Sequence, residues 1–270
     1  MTENSPWKGL GPGIGFKVSL VSIVLLTAAS AVTAVASAVG GDPLDAVGFG
    51  AAAVFLGHLS GLCAYLWWRP RRAAPAPQLV HGGLTFRYSG WAYYWMGGFA
   101  VLMALALALG GLAFLAAGGT TDLLVALAAF SGAFFFGWVM VRLLYGGRGW
   151  LRLTPAGLEH HGPGFTHRLP WEHVADVRHA AERGSPLIIV LPTVTGPVDV
   201  SFTWPTRLGG RGGFLLPSMV IRGGWLADDP VVVLLTLRHY HGHPEHRREL
   251  ASGAALQRVG QQRLDLRPSW

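Results

Sequence analysis

The sequence predicts a membrane α-helical bundle of four transmembrane helices followed by a C-terminal α+β domain, a small β-barrel or sandwich closed by a helix. Three observations lead to this fold class. Four apolar runs, about 18–39, 46–68, 94–117 and 122–145, are each long enough to cross a hydrocarbon core of ~30 Å, which takes about 20 residues. After Gly149 the apolar runs become short and alternate with polar residues, the period of half-buried strands. Near the end, Asp228-Asp229-Pro230 puts an acidic cap and a proline where a helix begins.

Composition agrees. Of 270 residues, 51% are hydrophobic and only 13% charged, against roughly 25% in soluble domains. The formal charge is +7 and the sequence pI about 10.2, with a mean hydropathy of +0.39. Such a balance can mark a nucleic-acid binder, but the charges are distributed otherwise. Residues 1–150 carry eight Lys and Arg against four acids, and residues 151–270 carry thirteen Arg against ten acids. The second half is nearly balanced and has no basic run interleaved with aromatics, so nucleic acid is not an expected partner. Cys63 is the only cysteine, which excludes an intrachain disulfide.

The first half, 1–149, reads as a four-helix transmembrane domain. Val18–Val39 holds no charge; Ala34-Val35-Ala36 and Ala36-Ser37-Ala38 resemble signal-peptide cleavage sites, but the apolar stretch is longer than the ~7–15 residues of a signal core, so an uncleaved span is expected. Asp42 and Asp45 lie in a short turn, and Ala46–Trp68 follows, ending in the interfacial pair Trp67-Trp68. Pro75 and Pro77 stiffen a linker, Leu84–Tyr88 alternates like one short strand, and Trp91, Tyr93, Tyr94 and Trp95 form an aromatic belt before the third span. Lys8, Lys17, Arg69, Arg71, Arg72, Arg87, Arg142 and Arg148 fall on one side of a four-span arrangement, while Asp42, Asp45 and Asp122 fall on the other, so the positive-inside rule puts both termini in the cytoplasm. Small residues recur every fourth position at Ser30, Ala34 and Ala38; Ala53, Gly57 and Gly61; Ala106 and Gly110; and Ala129, Ala133 and Gly137. These ridges suit close helix packing within the bundle or, through one of them, a homo-oligomer. His58 is the one strongly polar ionisable residue deep in a span. With no acid or base at matching depth, it reads as a neutral packed residue bonded to a serine or a backbone carbonyl rather than as part of a transport path.

In the second half, short strands are expected over Trp150–Thr154, Leu158–His161, Phe165–Leu169, Val174–His179, Leu187–Leu191 and Val198–Trp204, with turns at Pro155-Ala156-Gly157 and Gly162-Pro163-Gly164. Pro205–Gly224 reads as irregular, and Val231–Tyr240 as an apolar helix. His243-Pro244-Glu245 opens another helix running to about Val259, and 261–270 is a frayed tail. The domain boundaries that follow are 150–243 for the sheet domain and 244–270 for the C-terminal helix and tail.

The segment LRLTPAGLEHHGPGFTHRLPWEHVADV, Leu151–Val177, resembles the bacterial pleckstrin-homology-like domains of membrane proteins. There a strand ending Leu-Thr-Pro-x-Gly-Leu precedes a strand, a turn and a strand closing on Pro-Trp-Glu, as at Leu153–Leu158 and Pro170-Trp171-Glu172 here, and HPEHRREL at His243–Leu250 is similar to the tail of such proteins. The resemblance covers roughly 150–250. It implies a bent sheet or barrel closed by the helix from Asp229, a multi-pass protein of the bacterial cell (inner) membrane, and a non-catalytic interaction module that binds a protein partner, itself or lipid headgroups. Trp171 is expected to anchor the core. Arg69, Arg71, Arg72, Arg148 and Arg152 are the candidate headgroup contacts, because cations beside a span suit anionic lipid. No catalytic residue and no cofactor are expected: P-loop, dinucleotide and nucleophile-elbow patterns are missing from the sequence. His239, His241, His243 and His246 could supply imidazoles to zinc, but Gly242 and Pro244 read as a helix stop that keeps them apart, so no metal is expected. The alternatives are a small transporter or channel with a regulatory domain, and a membrane metal protein using the histidine-rich turn.

Overall fold

The computed structural model describes residues 6–7, 13–68, 77–182, 184–193, 199–202 and 218–264. They fall into two compact units, one holding 13–68 and 91–145, the other 6–7, 77–90 and 146–264.

The first unit consists of four helices, each long and apolar enough to cross a membrane: α1 (Ile14–Gly40), α2 (Pro43–Trp68), α3 (Gly90–Ala117) and α4 (Thr120–Tyr145). Large apolar side chains face outward along them, with Leu25 64%, Leu109 66% and Phe134 77% exposed. Such an exterior is covered favourably by hydrocarbon and not by water. Gly41 and Gly118 end α1 and α3 at φ 82° and 81°, a left-handed conformation that costs glycine little. Asp122 then caps α4, its carboxylate accepting from the Gly119 N–H at 3.2 Å.

Small residues let the helices approach, as expected, but only partly the expected ones. A Cβ on Gly57 would lie 3.5 Å from Thr27 Cγ2, and Trp95 fills the notch at Gly61. A Cβ on Gly110 or Gly137 would meet nothing within 4 Å, and α3 meets α4 at Gly97, Gly111 and Gly132 instead, against Met140, Phe130 and Leu107. The reason is angular: Gly111 and Gly132 each sit one residue from a member of an expected ridge, Gly110 and Ala133, and so point about 100° away around the helix. His58 Nε2 donates to the Trp95 carbonyl at 3.0 Å, the backbone partner anticipated for it.

The second unit has two antiparallel sheets. Six strands run in the order β1 (Gln78–Val80), β2 (Gly83–Arg87), β3 (Trp150–Leu153), β4 (Gly157–Gly162), β5 (Phe165–Pro170) and β8 (Asp199–Phe202); three more run β6 (Val174–Glu182), β7 (Ser185–Pro192) and β9 (Met219–Arg222). Helix α5 (Pro230–Gly242) follows, its cap Asp229 accepting from the Val231 N–H at 2.9 Å. Leu84, Phe86, Leu151, Leu153, Ile188, Val190, Met219 and Ile221 from the strands, with Val233, Leu237 and Tyr240 from α5, have no exposed surface. Trp171 closes this core at 2% exposure, its indole donating to the Thr154 carbonyl at 2.8 Å.

Three boundaries differ from the sequence expectation. The strand pair β1–β2, read as part of a 1–149 membrane domain, belongs to the sheet unit: β2 pairs with β3, Leu84 opposite Leu153 and Phe86 opposite Leu151. Strand β9 lies inside the stretch Pro205–Gly224 read as irregular, of which 205–217 fall outside the described residues. After α5 the chain forms a 3-10 turn over Pro244–Ala251 and then a short helix α6 (Gly253–Gly260), started by Ser252, rather than one helix to Val259. The expected tail over 261–270 is described only to 264.

Helices α3 and α4 are thus inserted between two neighbouring strands. Only Tyr88 and Ser89 separate β2 from α3, and only 146–149 separate α4 from β3. Within the sheet unit, backbone hydrogen bonds hold the segments that lead to and from the helices: Tyr88 N–H to the Gly149 carbonyl at 2.8 Å, Ser89 N–H to Trp225 at 2.7 Å, and Ala227 N–H to Arg87 at 2.9 Å.

Candidate functional site

Of the cations expected at headgroups, Arg69, Arg71 and Arg72 lie outside the described residues. Arg148 is exposed, its guanidinium beside Gly90. Arg152 is engaged within the sheet. Register places it opposite both Thr85 and Glu159, so the side chain lies along the sheet. It bonds Glu159 at 3.2 Å, approaches Thr85 Oγ1 at 3.4 Å and stacks over the Trp150 ring at 4.2 Å, with 15% of its side chain exposed. A guanidinium engaged on all these sides has little left for a phosphate. Arg168, Arg178 and Arg258 are likewise paired, with Glu159, Asp176 and Glu249.

Among the described residues strand β6 is an edge of the three-stranded sheet, and side chains occupy three of its carbonyls. His241 Nε2 donates to Val174 at 3.0 Å, Arg238 to Val177 at 3.1 Å, and the indole of Trp7 to Ala180 at 2.6 Å. Two of these donors come from α5 and fasten it to the sheet. The third comes from the segment before α1, and Trp7 is 8% exposed there. Edge protection by side chains blocks the row of groups that would otherwise recruit another strand.

Two histidines are interior. His160 and His167 face each other across β4 and β5, 1% and 3% exposed. Tyr88 Oη lies 2.6 Å from His160 Nε2, while His160 Nδ1 and His167 Nε2 are buried without a hydrogen-bond partner among the described residues. Burial, with His167 and His161 close by, pushes the His160 pKa down to about 3, so the ring is neutral.

The most concentrated chemistry is at the end of α5. One ring nitrogen each from His239, His243 and His246 lies within 4.8 Å of the others. The expected helix stop does not separate them. Helix α5 continues through Gly242, and the His243 N–H reaches back to the His239 carbonyl at 2.9 Å. His239 and His243 therefore share a face, their rings stacked at 4.6 Å. Pro244 then opens the 3-10 turn, which fits proline because its missing N–H is not needed there, and the turn brings His246 Nδ1 to 3.1 Å from His239 Nε2. His239 is 3% exposed; burial, helped by Arg258 and the two neighbouring imidazoles, lowers its pKa to about 4. Burial pushes the nearby Glu249 carboxyl up, but hydrogen bonds from Arg258 and Tyr240 outweigh it and hold the group below its ordinary value. His241 points elsewhere, to β6. The signal available in the sequence was the recurrence of histidine at 239, 243 and 246 on both sides of the Gly242 and Pro244 stop.

Comparison with protein-family models, with curated proteins and with solved structures gives no match to this chain.

Proposed function

We propose that the chain is a membrane-anchored interaction module with a pleckstrin-homology-like sheet domain, held at the cytoplasmic face of a bacterial inner membrane with both termini inside. The observation that carries this reading is the insertion of α3 and α4 between the paired strands β2 and β3. A domain interrupted by two membrane-length helices is a surface tied to the bilayer at adjacent points of its own sheet. The two antiparallel sheets followed by α5 support the pleckstrin-homology-like reading, and the one-sided Lys and Arg support the orientation. A protein partner or a second copy of the chain fits better than headgroup recognition, because Arg152, Arg168 and Arg178 pair within the domain. Transport is the weaker reading, since His58 is bonded to a backbone carbonyl.

The test uses the full chain carrying Cys63→Ser. Single cysteines at Asp42 and Thr120 should react with an impermeant reagent from outside, and one at Glu172 only after permeabilisation. Photo-reactive residues at the exposed positions Glu172, Arg178 and Glu245 should give discrete protein adducts in native membranes. Outside labelling of position 172, or adducts to lipid alone, would overturn the proposal.

A further inference from the structure

We infer that His239, His243 and His246 form a binding site for a divalent transition-metal ion of the zinc class. The donor set fits. Three imidazoles suit Zn(II), Co(II), Ni(II) or Cu(II) and not the oxygen-seeking Mg(II) or Ca(II). Metal-bound histidines commonly donate their other ring N–H to a backbone carbonyl, which fixes the tautomer and the ring's orientation. His243 does so: its Nδ1 lies 3.0 Å from the His239 carbonyl, which places the proton there and leaves Nε2 as the lone-pair nitrogen. His239, packed against Tyr240 with ring centroids 5.2 Å apart, is the fixed member. His243 and His246 are half-buried, so the ion has a route in from solvent.

The remaining adjustment is small. Bonds of ~2.0–2.1 Å in a tetrahedral arrangement bring the nitrogens to about 3.3 Å from one another. The pair His239 and His246 is already at 3.1 Å, and one nitrogen from each of the three rings lies within 4.8 Å of the others. Rotation of the two half-buried rings closes that gap. The hydrogen bond between His239 and His246 holds one proton, which moves to the other nitrogen of its own ring on binding. No proton is lost, and the charge of the site rises by that of the ion alone. Glu249 is held by Arg258 and Tyr240, so the ligands are the three imidazoles and a fourth position stays open to water or an external ligand.

The experiment uses the full chain in detergent, without a histidine tag and stripped with chelator, titrated with Co(II) and then competed with Zn(II). One Co(II) per chain should bind with the visible absorption of an imidazole complex, and Zn(II) should displace it. His243→Gln with His246→Gln should weaken binding by roughly 100-fold or more. His81→Gln, on an exposed turn, should bind like the parent. Should the double variant fail to fold, His246→Gln alone decides, since that residue is half-buried on a turn. Absence of a saturable site, or affinity unchanged by these substitutions, overturns the inference.

Discussion

His160 carries a positive charge with difficulty, and this sets a pH dependence for the whole sheet unit. Its ring lies against Tyr88 and Phe165 and across the ladder from His167, and burial holds its pKa at about 3 against an ordinary 6.5. Below pH 6.5 the unfolded chain takes up a proton that the folded chain refuses. The unfolded state binds more protons, so stability is complete above that pH and falls as acid is added, by up to about 1.4 kcal/mol for each pH unit, until the folded pKa is reached. Thermal melts between pH 7 and pH 4 should show this loss, and His160→Phe should flatten the slope. Trp171 and Arg152 show how far single residues could be read in advance. Trp171 was legible because a large aromatic between Pro170 and an alternating strand has few places to go but the core. Arg152 could not be placed in advance, because a charge beside a span looks the same whether it meets lipid or a partner across a ladder. Only the register with Glu159 separates the two cases.

Among the elements, the four spans were legible because their length and apolarity are set by the bilayer, not by the rest of the fold. Two of the short strands were not. Gln78–Val80 and Met219–Arg222 are three and four residues long and exist because a neighbour completes their hydrogen bonds. The stop at Gly242 and Pro244 was legible, and α5 does end at Gly242; what the sequence did not show is that the 3-10 turn from Pro244 folds His246 back onto His239. Helix contacts also make a testable case. A Cβ at Gly98 would overlap the His58 ring. Gly98→Ala should therefore push α2 from α3 and cost about 1–3 kcal/mol through overpacking, seen as a lower melting temperature in detergent. His58→Ala in the same chain should restore most of it; a silent Gly98→Ala would mean the two helices do not meet there.

For the molecule as a whole, the sheet unit cannot be cut out as one continuous piece. A fragment covering 150–264 lacks β1 and β2 and leaves the β3 edge bare, so it should aggregate. Tyr88 and Gly149 share a backbone hydrogen bond of 2.8 Å, so a short turn can replace α3 and α4. Residues 77–88 joined in this way to 149–264 should give a soluble monomer by size exclusion, with a cooperative melt. Trp171→Ala in that joined chain should lose about 3–5 kcal/mol. The same insertion has a consequence during synthesis. Strand β2 leaves the ribosome before the two helices and β3 leaves after them, so β2 must wait, partnerless on that side, while the hairpin enters the bilayer. If only one of the two helices crosses, β2 and β3 emerge on opposite faces and the ladder cannot form. A correctly threaded chain closes its sheet, and a mis-threaded one keeps an open edge on β2; completion of the sheet thus requires that both helices of the hairpin cross.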